Sequence, residues 1–401
     1  DRAIGTERVI RRTGHTGWAA TCTNGIFHTN PISRTDRAIT DRAILADWPA
    51  GADRDADSSS HPMTFASPTT PAAPGPDPVA ATLTLPAPAK LNLFLHVTGR
   101  REDGLHLLET VFQFIDLQDD ITLAVDPTGS IGRTHDPEGV SEADDLTLRA
   151  ARALKAATGS PLGARITLTK HIPMGAGLGG GSSDAATVLL GLNELWQTGL
   201  SRNQLIDIAR PLGADVPIFV HGQNAYATGI GDVFQPVSLP EYWFVLLMPH
   251  VHVGTAGIFS APELTRNTKP LTIHGFTALA GQTLAGHNDL QPVVEARQPL
   301  VRDSIQLLSQ AAQRVSSGSV AKQHKSDITV RMTGSGACIF AASQHKTTAL
   351  ALLQEVSQAS QKNVVARQTP DAERITMRTE FGTLFLVRGL ASHPLGSRQV
   401  G

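Results

Sequence analysis

A glycine-rich stretch at residues 173–184 carries the strongest chemical signal in the chain. It reads Pro-Met-Gly-Ala-Gly-Leu-Gly-Gly-Gly-Ser-Ser-Asp, with five glycines among the seven positions from 175 to 181. Such a stretch leaves backbone amides uncovered and permits positive φ. Because a helical pattern follows at once, free amides and the helix dipole would face the loop. The pattern predicts an anion site, with phosphate as the usual anion; a tight turn with a serine cap is the alternative.

Two common nucleotide-binding loops do not fit this stretch. Gly175, Gly177 and Gly180 formally match the dinucleotide fingerprint. That fingerprint requires a second strand ending in an acidic residue about 20 positions on, whereas the region near residue 200 has the pattern of helix, turn and helix. A Walker loop requires a lysine before its Ser or Thr, but Gly181 directly precedes Ser182. A third kind of phosphate loop is therefore indicated.

Lys90 and Asp215 are candidates for the remaining chemistry. A lone lysine at a strand start is usually solvated, and an aspartate in a short loop is usually a cap or turn residue. Both residues, however, lie at the ends of predicted elements, where side chains can converge on a cleft. Phosphoryl transfer to an alcohol requires amides and Mg²⁺ for the phosphates, a cation near the transferring group, and a carboxylate to accept the hydroxyl proton.

Several blocks of the chain, in order, resemble the 4-diphosphocytidyl-2-C-methyl-D-erythritol kinase family of the GHMP kinase superfamily. The resemblance extends from about residue 86 to residue 395. The glycine-rich loop alone would indicate only the superfamily, whereas the blocks at 103–106 and 259–268 point to this family. The matching blocks are 88–95, 103–106, 109–113, 173–186, 213–217, 259–268, 288–293, 332–338, 388–390 and 393–395.

The resemblance implies an α+β fold with the two-domain GHMP kinase architecture and the active site in the cleft between the domains. It also implies transfer of the γ-phosphoryl group of ATP to the 2-hydroxyl of 4-diphosphocytidyl-2-C-methyl-D-erythritol. This reaction is a step of the non-mevalonate route to isopentenyl diphosphate. Mg²⁺ is expected with the ATP, and its ligands are left open.

The resemblance further implies roles for individual residues. Asp215 would be the general base on the 2-hydroxyl, and Lys90 would hold Asp215 ionised and orient the same hydroxyl. The backbone of one loop would wrap the ATP phosphates: Pro173, Met174, Gly175, Ala176, Gly177, Leu178, Gly179, Gly180, Gly181, Ser182 and Ser183. A further backbone loop would line the cleft with Gly334, Ser335 and Gly336.

On the side of the phosphoryl acceptor, Asn92 would place the methylerythritol part. His106 would bond the cytosine edge, Phe259 would pack on the face of the base, and Thr255 would lie beside it. The family commonly has Tyr where this chain has Leu105. That Tyr stacks on cytosine in the family, so this departure bears on base binding and not on the reaction.

The elements that must position these residues are mixed, without strict β-α-β repetition, which favours two α+β layered domains at 81–240 and 241–401. The patterns predict strands at 82–85, 91–97, 109–117, 120–125, 164–169, 216–220, 225–228, 243–248, 328–332 and 338–342. They predict helices at 145–158, 183–197, 201–210, 288–297, 301–312 and 347–361.

Composition excludes several classes of protein. The formal net charge of −2 gives no case for a nucleic-acid partner or an anionic membrane surface. No apolar stretch approaches the ~18 residues that a bilayer crossing needs. Cys22 and Cys338 are the two cysteines, which excludes a disulfide scaffold and a Cys-rich zinc module. We expect a cytoplasmic enzyme with small-molecule partners, and the sequence does not indicate its oligomeric state.

Residues 1–80 do not have the pattern of a domain. No amphipathic period is sustained there, and residues 61–80 carry six prolines in an Ala/Thr/Ser background. This composition predicts a disordered N-terminal extension and a Pro-rich linker. Two interpretations stay open: a physiological start at or near Met63, or a disordered tail that belongs to the protein.

Three other interpretations compete with this resemblance. His250 and His252 would share a face of a predicted strand, but no further metal ligands cluster near them in the sequence. Another GHMP kinase, acting on a mevalonate-type, homoserine or sugar substrate, would share the glycine-rich loop but would not need the 103–106 and 259–268 blocks. Loss of Lys90 or Asp215 would favour a non-catalytic nucleotide-binding regulator, and both residues are present.

Overall fold

Two six-stranded sheets, each packed against helices, form the described part of the chain. The computed structural model describes residues 81–135, 140–279, 284–317, 328–360, 367–368 and 375–398. All of them belong to one compact unit, Pro74–Gly401. The α+β class expected from the sequence is confirmed. The predicted extension at 1–80 lies outside the described residues.

The strands fall into two groups along the chain, six in each sheet. The first sheet contains β1 (Thr82–Arg100), β2 (His106–Asp126), β3 (Ile131–Arg133), β4 (Gly163–Thr169), β5 (Ala225–Thr228) and β6 (Val233–Pro236). The second contains β7 (Trp243–Pro249), β8 (Thr329–Met332), β9 (Ile339–Ser343), β10 (Arg367–Gln368), β11 (Ile375–Arg378) and β12 (Gly382–Arg388). The predicted boundary near residue 240 lies between these groups and stays a prediction.

Among the described helices, one has 19 residues and the others have 16 or fewer. They are α1 (Leu146–Thr158), α2 (Gly180–Leu195), α3 (Arg202–Ala209), α4 (Val216–His221), α5 (Thr255–Phe259), α6 (Ile273–Leu279), α7 (Gln291–Arg297), α8 (Pro299–Ser317) and α9 (Lys346–Ala359). Within the described residues, no helix combines the length and hydropathy that a bilayer crossing requires.

The antiparallel pair of β1 and β2 is the longest element of the first sheet. The sequence patterns predicted two shorter strands in each, but the structure joins them into strands of 19 and 21 residues. The register shifts between Pro88 and Lys90 and again between Asn92 and Leu95. Such irregularities bend a strand and re-aim its side chains without ending it. Both shifts therefore lie next to residues predicted to belong to the site.

Residues 216–220 form the helix α4 and not the predicted strand. The segment is a short buried run of apolar residues, and periodicity alone cannot separate a strand from a helix in such a run. Pro217 lies in the first turn, where its missing amide costs no hydrogen bond, and Gly222 ends the helix in the left-handed region. Asp215 consequently lies at the start of a helix.

The second sheet has the order β10-β11-β12-β7-β9-β8, with every residue of β7 buried. His250 and His252 follow the end of β7, so the expectation that they alternate on a strand is wrong. Within the described residues, no group of three or more His, Cys, Asp or Glu side chains could hold a metal ion. The structure therefore gives the histidine pair no support as a metal site.

One loop of the second half of the chain is attached to the middle of β1. The amide of Leu95 donates to the His287 carbonyl at 2.9 Å, and the Asp289 amide donates to the Leu95 carbonyl at 2.9 Å. Asp289 Oδ2 also accepts from the Val97 amide at 2.7 Å. The strand that carries Lys90 and Asn92 is thus paired with β2 and also bonded to a loop from the second half of the chain.

Helix α1 begins at a buried cap that is also an ion pair. Asp145 accepts hydrogen bonds from the amides of Thr147 and Leu148, and Arg133 Nη1 lies 2.8 Å from its Oδ2. Burial opposes ionisation of this carboxyl, but the bonds from Thr147 and Arg133 outweigh it and lower the pKa of Asp145.

We expect Asp145→Ala to lower the free energy of unfolding by about 3 kcal/mol, because it removes both a helix cap and the buried carboxylate that pairs with Arg133. Urea denaturation at pH 7 measures this loss, and Asp144→Ala, at an exposed neighbouring position, is the matched control. Because the folded pKa is lowered, the contribution is present above the unfolded pKa near ~4 and disappears as the pH falls through the folded value. Equal stability of the two variants at pH 7 would contradict this role.

Candidate active site

Lys90 is buried in β1, with a relative exposure of 2%. Its ammonium lies 2.7 Å from Asn92 Oδ1, 3.1 Å from the Gly177 carbonyl and 3.3 Å from Asp215 Oδ2. These three oxygens come from β1 itself, from the glycine-rich loop and from the start of α4. The lysine predicted from the sequence therefore joins the three segments that would perform the chemistry.

Asp215 is the open member of this ion pair. Its side chain is 38% exposed, whereas that of Lys90 is 3% exposed. The carboxylate lines the cleft together with Gly177 and Ser182 of the glycine-rich loop. A carboxylate that is fixed by a buried cation and still open to a ligand can accept a proton from a hydroxyl in the cleft.

The glycine-rich loop presents carbonyls on one side and amides on the other. The carbonyls of Ala176, Gly177 and Leu178 accept from the Cys338 amide, the Lys90 ammonium and the Lys90 amide. Because a trans peptide points its carbonyl and amide in opposite directions, the neighbouring amides face away from Lys90. Within the described residues, the amides of 177–182 have no hydrogen-bond partner. This free row of donors runs into the start of α2.

A second loop, residues 333–336, packs directly on the first. Gly177 has φ of +75°, and a Cβ placed there would lie 2.9 Å from the carbonyl oxygens of both Thr333 and Gly336. Asn288 Nδ2 holds this second loop by donating to the Met332 and Gly334 carbonyls, at 2.8 Å each. The close backbone approach requires glycine at position 177.

The predicted site residues line three adjoining pockets. The first, about 420 Å³, includes Lys90, Asn92, Gly175, Gly177, Ser182, Asp215, Thr255, Phe259, Gly334, Ser335 and Gly336. The second, about 390 Å³, includes Pro173, Met174, Gly175, Ala176, Gly177, Leu178, Gly179, Gly180, Gly181 and Ser182. The third, about 480 Å³, includes Leu105, His106, Phe259 and Arg266.

Two predicted residues differ from the rest in their placement. Ser183 is fully buried in α2 and lines none of these three pockets. His106 lines the third pocket but not the first, and Phe259 lines both. The first and third pockets therefore meet at Phe259, with the Lys90–Asp215 pair in one and His106 in the other.

His106 is held by an arginine that the sequence analysis gave no role. Arg266 Nε donates to His106 Nε2 at 3.0 Å, and the His106 ring lies 5.2 Å from the ring of Phe259, centroid to centroid. Burial, together with the charges of Arg266 and Arg100, lowers the pKa of His106. This shift favours the neutral form of the imidazole beside Phe259. Leu105, on the same pocket, is 47% exposed.

Comparisons with known proteins decide the family. The model of "GHMP kinases N terminal domain" matches residues 145–223. The 4-diphosphocytidyl-2-C-methyl-D-erythritol kinase of Bordetella parapertussis is 47% identical over 311 residues, which cover 78% of this chain and 96% of that protein. The kinase of the same name from Thiobacillus denitrificans is 48% identical over 310 residues, covering 77% and 96%. This chain belongs to the 4-diphosphocytidyl-2-C-methyl-D-erythritol kinase family.

Solved structures agree with this assignment. A crystal structure of 4-(cytidine 5'-diphospho)-2C-methyl-D-erythritol kinase matches with a TM-score of 0.59 and 29% identity, over 77% of this chain and all of that one. Homoserine kinase from Cytophaga hutchinsonii matches with a TM-score of 0.50 and 18% identity, over 69% and 90%. The second similarity shows the fold alone. The resemblance drawn from the sequence blocks is confirmed at the level of the family.

Sequence reasoning missed the side chains that brace Asn92 in this kinase. Asn92 Nδ2 donates to Thr110 Oγ1 at 2.9 Å, and the Asn92 amide donates to Thr333 Oγ1 at 2.8 Å. Asn288, which holds the 333–336 loop, was part of a matched block but received no role. Threonine and asparagine have no sequence signature for such long-range bonds, so only the fold reveals them.

A buried charge cluster behind the glycine-rich loop was also missed. Lys170 Nζ lies 2.5 Å from Asp119 Oδ2 and 3.0 Å from Asp184 Oδ2. Burial and the neighbouring Asp119 raise the pKa of Asp184, whereas Lys170 acts to lower it. Lys170 and Asp184 also line the second pocket. The cluster ties the segment before the loop to the first turns of α2.

We expect Gly177→Ala to weaken ATP binding about tenfold, because the added Cβ displaces the 333–336 loop at a cost of about 1–3 kcal/mol. Gly199→Ala is the matched control: Gly199 also has positive φ, at +66°, but a Cβ there meets nothing within 4 Å. Both variants carry the left-handed strain, and only the first perturbs the loop contact. Thermal melts with and without ATP measure the difference, and equal ATP-induced stabilisation of the two variants would contradict it.

Proposed function

We propose that this kinase transfers the γ-phosphoryl group of ATP to the 2-hydroxyl of 4-diphosphocytidyl-2-C-methyl-D-erythritol, giving the 2-phosphate and ADP. The observation that carries the proposal is the Lys90–Asp215 pair, which is open to the first pocket. The free amides of 177–182 lie on one side of this pocket, and the third pocket, lined by His106, adjoins it. Relatives that bear the name of this kinase are 47–48% identical over almost their whole length. The reaction belongs to the methylerythritol phosphate route to isopentenyl diphosphate.

The phosphates of ATP bind to the free amides of 177–182 in this proposal. A row of uncovered donors that runs into the start of a 16-residue helix attracts anions through both the amides and the helix dipole. Gly175, Gly177 and Ser182 line both the first and the second pocket. ATP bound in the second pocket can therefore direct its γ-phosphate into the first.

Asp215 accepts the proton of the substrate hydroxyl. The hydroxyl oxygen then forms its bond to the γ-phosphorus as the bond to the oxygen bridging the β- and γ-phosphates breaks, and ADP leaves. Lys90 keeps the carboxylate charged and in place, and its ammonium also lies beside Asn92 Oδ1. Asn92, fixed by Thr110 and Thr333, positions the methylerythritol part.

The residues present fit a magnesium ion that is carried mainly by the nucleotide. The described residues offer no cluster of three ligating side chains, and Mg²⁺ in kinase sites keeps waters and phosphate oxygens with only one or two protein ligands. Ser182, which lines both pockets, is the side chain placed to contribute an oxygen. When bound, Mg²⁺ neutralises charge on the β- and γ-phosphates.

The third pocket binds the cytosine base. Phe259 offers a ring face at the junction with the first pocket, and His106 offers a polar edge beside it. Thr255 Oγ1 lies 2.7 Å from Ser335 Oγ, and both residues line the first pocket. A substrate that spans both pockets would place its base at His106 and its polyol at Lys90 and Asp215.

The test of this function is ADP release by the full chain with ATP, Mg²⁺ and the cytidine substrate, with mevalonate and homoserine as competing acceptors. We expect turnover with the cytidine substrate alone. Turnover with mevalonate or homoserine at a comparable kcat/KM would assign the chain to a different kinase activity of the same fold.

We expect Asp215→Asn to lower kcat by ~10²–10⁴, because it removes the general base. The KM for ATP should stay nearly unchanged, since Asn retains the size of the side chain and the amides of the loop are untouched. Asp207→Asn, at an exposed position on α3, is the matched control and should retain the full rate. Steady-state kinetics that show a similar kcat for the two variants would refute the assignment of the base.

A further inference from the structure

Arg266 forms hydrogen bonds with both His106 and Phe259, which line the third pocket. Beyond its bond to His106, its Nη2 donates to the carbonyls of Phe259 at 3.0 Å and Ala261 at 2.7 Å, and its Nη1 donates to that of Leu264 at 3.0 Å. The guanidinium therefore closes the turn that carries Phe259 and reaches from there to the first residue of β2. No part of the mechanism above uses it.

The bond from Arg266 determines which nitrogen of His106 carries the proton. A guanidinium has donors and no acceptor, so His106 Nε2 must be the acceptor. In a neutral imidazole the other nitrogen then carries the hydrogen. His106 Nδ1 has no hydrogen-bond partner within the described residues, and the ring lines the pocket. His106 is thus a donor at its free nitrogen, and it cannot accept there.

A fixed donor discriminates between pyrimidines. Cytosine presents two adjacent acceptors, N3 and O2, whereas uracil has an N3–H donor in place of the first. A Nδ1–H group can pair with cytosine N3 but would face a second donor in uracil. A ligand that leaves buried polar groups of its site unpaired is rejected far more strongly than a ligand that only lacks apolar contacts with the site.

We propose that Arg266 is a positioning residue that gives the pocket its preference for cytosine over uracil, by holding His106 as the Nδ1–H tautomer and by fixing the turn that carries Phe259. The proposal rests on the proposed function for the identity of the base. It predicts that base selectivity depends on a residue that itself need not touch the base.

The tautomer can be measured without substrate or turnover. In the full chain labelled with ¹⁵N-histidine, we expect His106 at pH 7.5 to show a protonated Nδ1 and a bare Nε2. The signal is assigned by its absence in His106→Asn. A proton on Nε2, or an imidazolium, would overturn the proposal.

Selectivity is measured as the ratio of CDP to UDP affinity by calorimetry. We expect the wild type to favour CDP by about tenfold or more, and Arg266→Met to lose this preference to within about twofold while the His106 proton moves to Nε2. Arg266→Lys retains a charged N–H donor that can bond His106 Nε2, so it should keep the tautomer and most of the preference. A methionine variant that retains either the tautomer or the preference would overturn the proposal.

Arg297→Met is the matched control. Arg297 also donates to a carbonyl of the same segment, that of Gly257 at 2.9 Å, and pairs with Glu263, but it does not line the pocket. It should keep both the tautomer and the CDP preference; if it loses them as Arg266→Met does, general disturbance of the turn explains the effect and the proposal fails.

Should Arg266→Met not fold, the wild-type tautomer and the lysine variant decide. A CDP preference without turnover of the cytidine substrate would count against the proposed function alone.

Discussion

The ammonium of Lys90 is almost completely buried, and the segments around it provide the oxygen atoms that accept its hydrogen bonds and pair with its charge. An uncompensated buried charge costs several kcal/mol, so such a group persists only where partners are fixed around it. Its partners come from β1, the glycine-rich loop and the start of α4. Asp215 contributes charge while staying 38% exposed. The same contact that stabilises the lysine therefore leaves a carboxylate open to the cleft.

Around this pair the cleft is braced by short polar side chains and by backbone. Asn92 is held from two sides, by Thr110 and by Thr333, and Asn288 holds the loop that contains Thr333. Gly177 lies in backbone contact with that loop. Because each of these bonds joins segments distant in sequence, the glycine-rich loop, Asp215 and the first pocket are positioned relative to one another by the fold and not by any single loop.

Local patterns were sufficient for part of this arrangement. The glycine density and the helix behind it predicted α2 and the anion loop, and matched blocks placed Lys90 and Asp215 in one site. The buried apolar run at 216–220 was read as a strand because a short run of this kind has no distinguishing period. The predicted break within β1 contains the register shift between Pro88 and Lys90, whereas the predicted break within β2 is regularly paired, Asp119 with Ala87 and Gln118 with Pro88. Neither feature has a composition signal of its own here.

The residues that sequence reasoning missed act over long separations. Arg266 and His106 are 160 positions apart, and Lys170 lies 51 positions from Asp119. Neither pairing follows from the residue types, since most arginines and lysines are solvated. The predictions for residues 1–80 and for a boundary near residue 240 stay predictions.

We propose that Lys90 acts through Asp215, and a double-mutant cycle on kcat measures this coupling. Lys90→Met and Asp215→Asn should each lower kcat by ~10²–10⁴. The double variant should lose about as much as the more damaged single variant, because residues that act as one unit are not additive. Thermal melts of all three variants establish that the fold is retained. If the two losses multiply in the double variant, Lys90 and Asp215 act independently and the claim is contradicted.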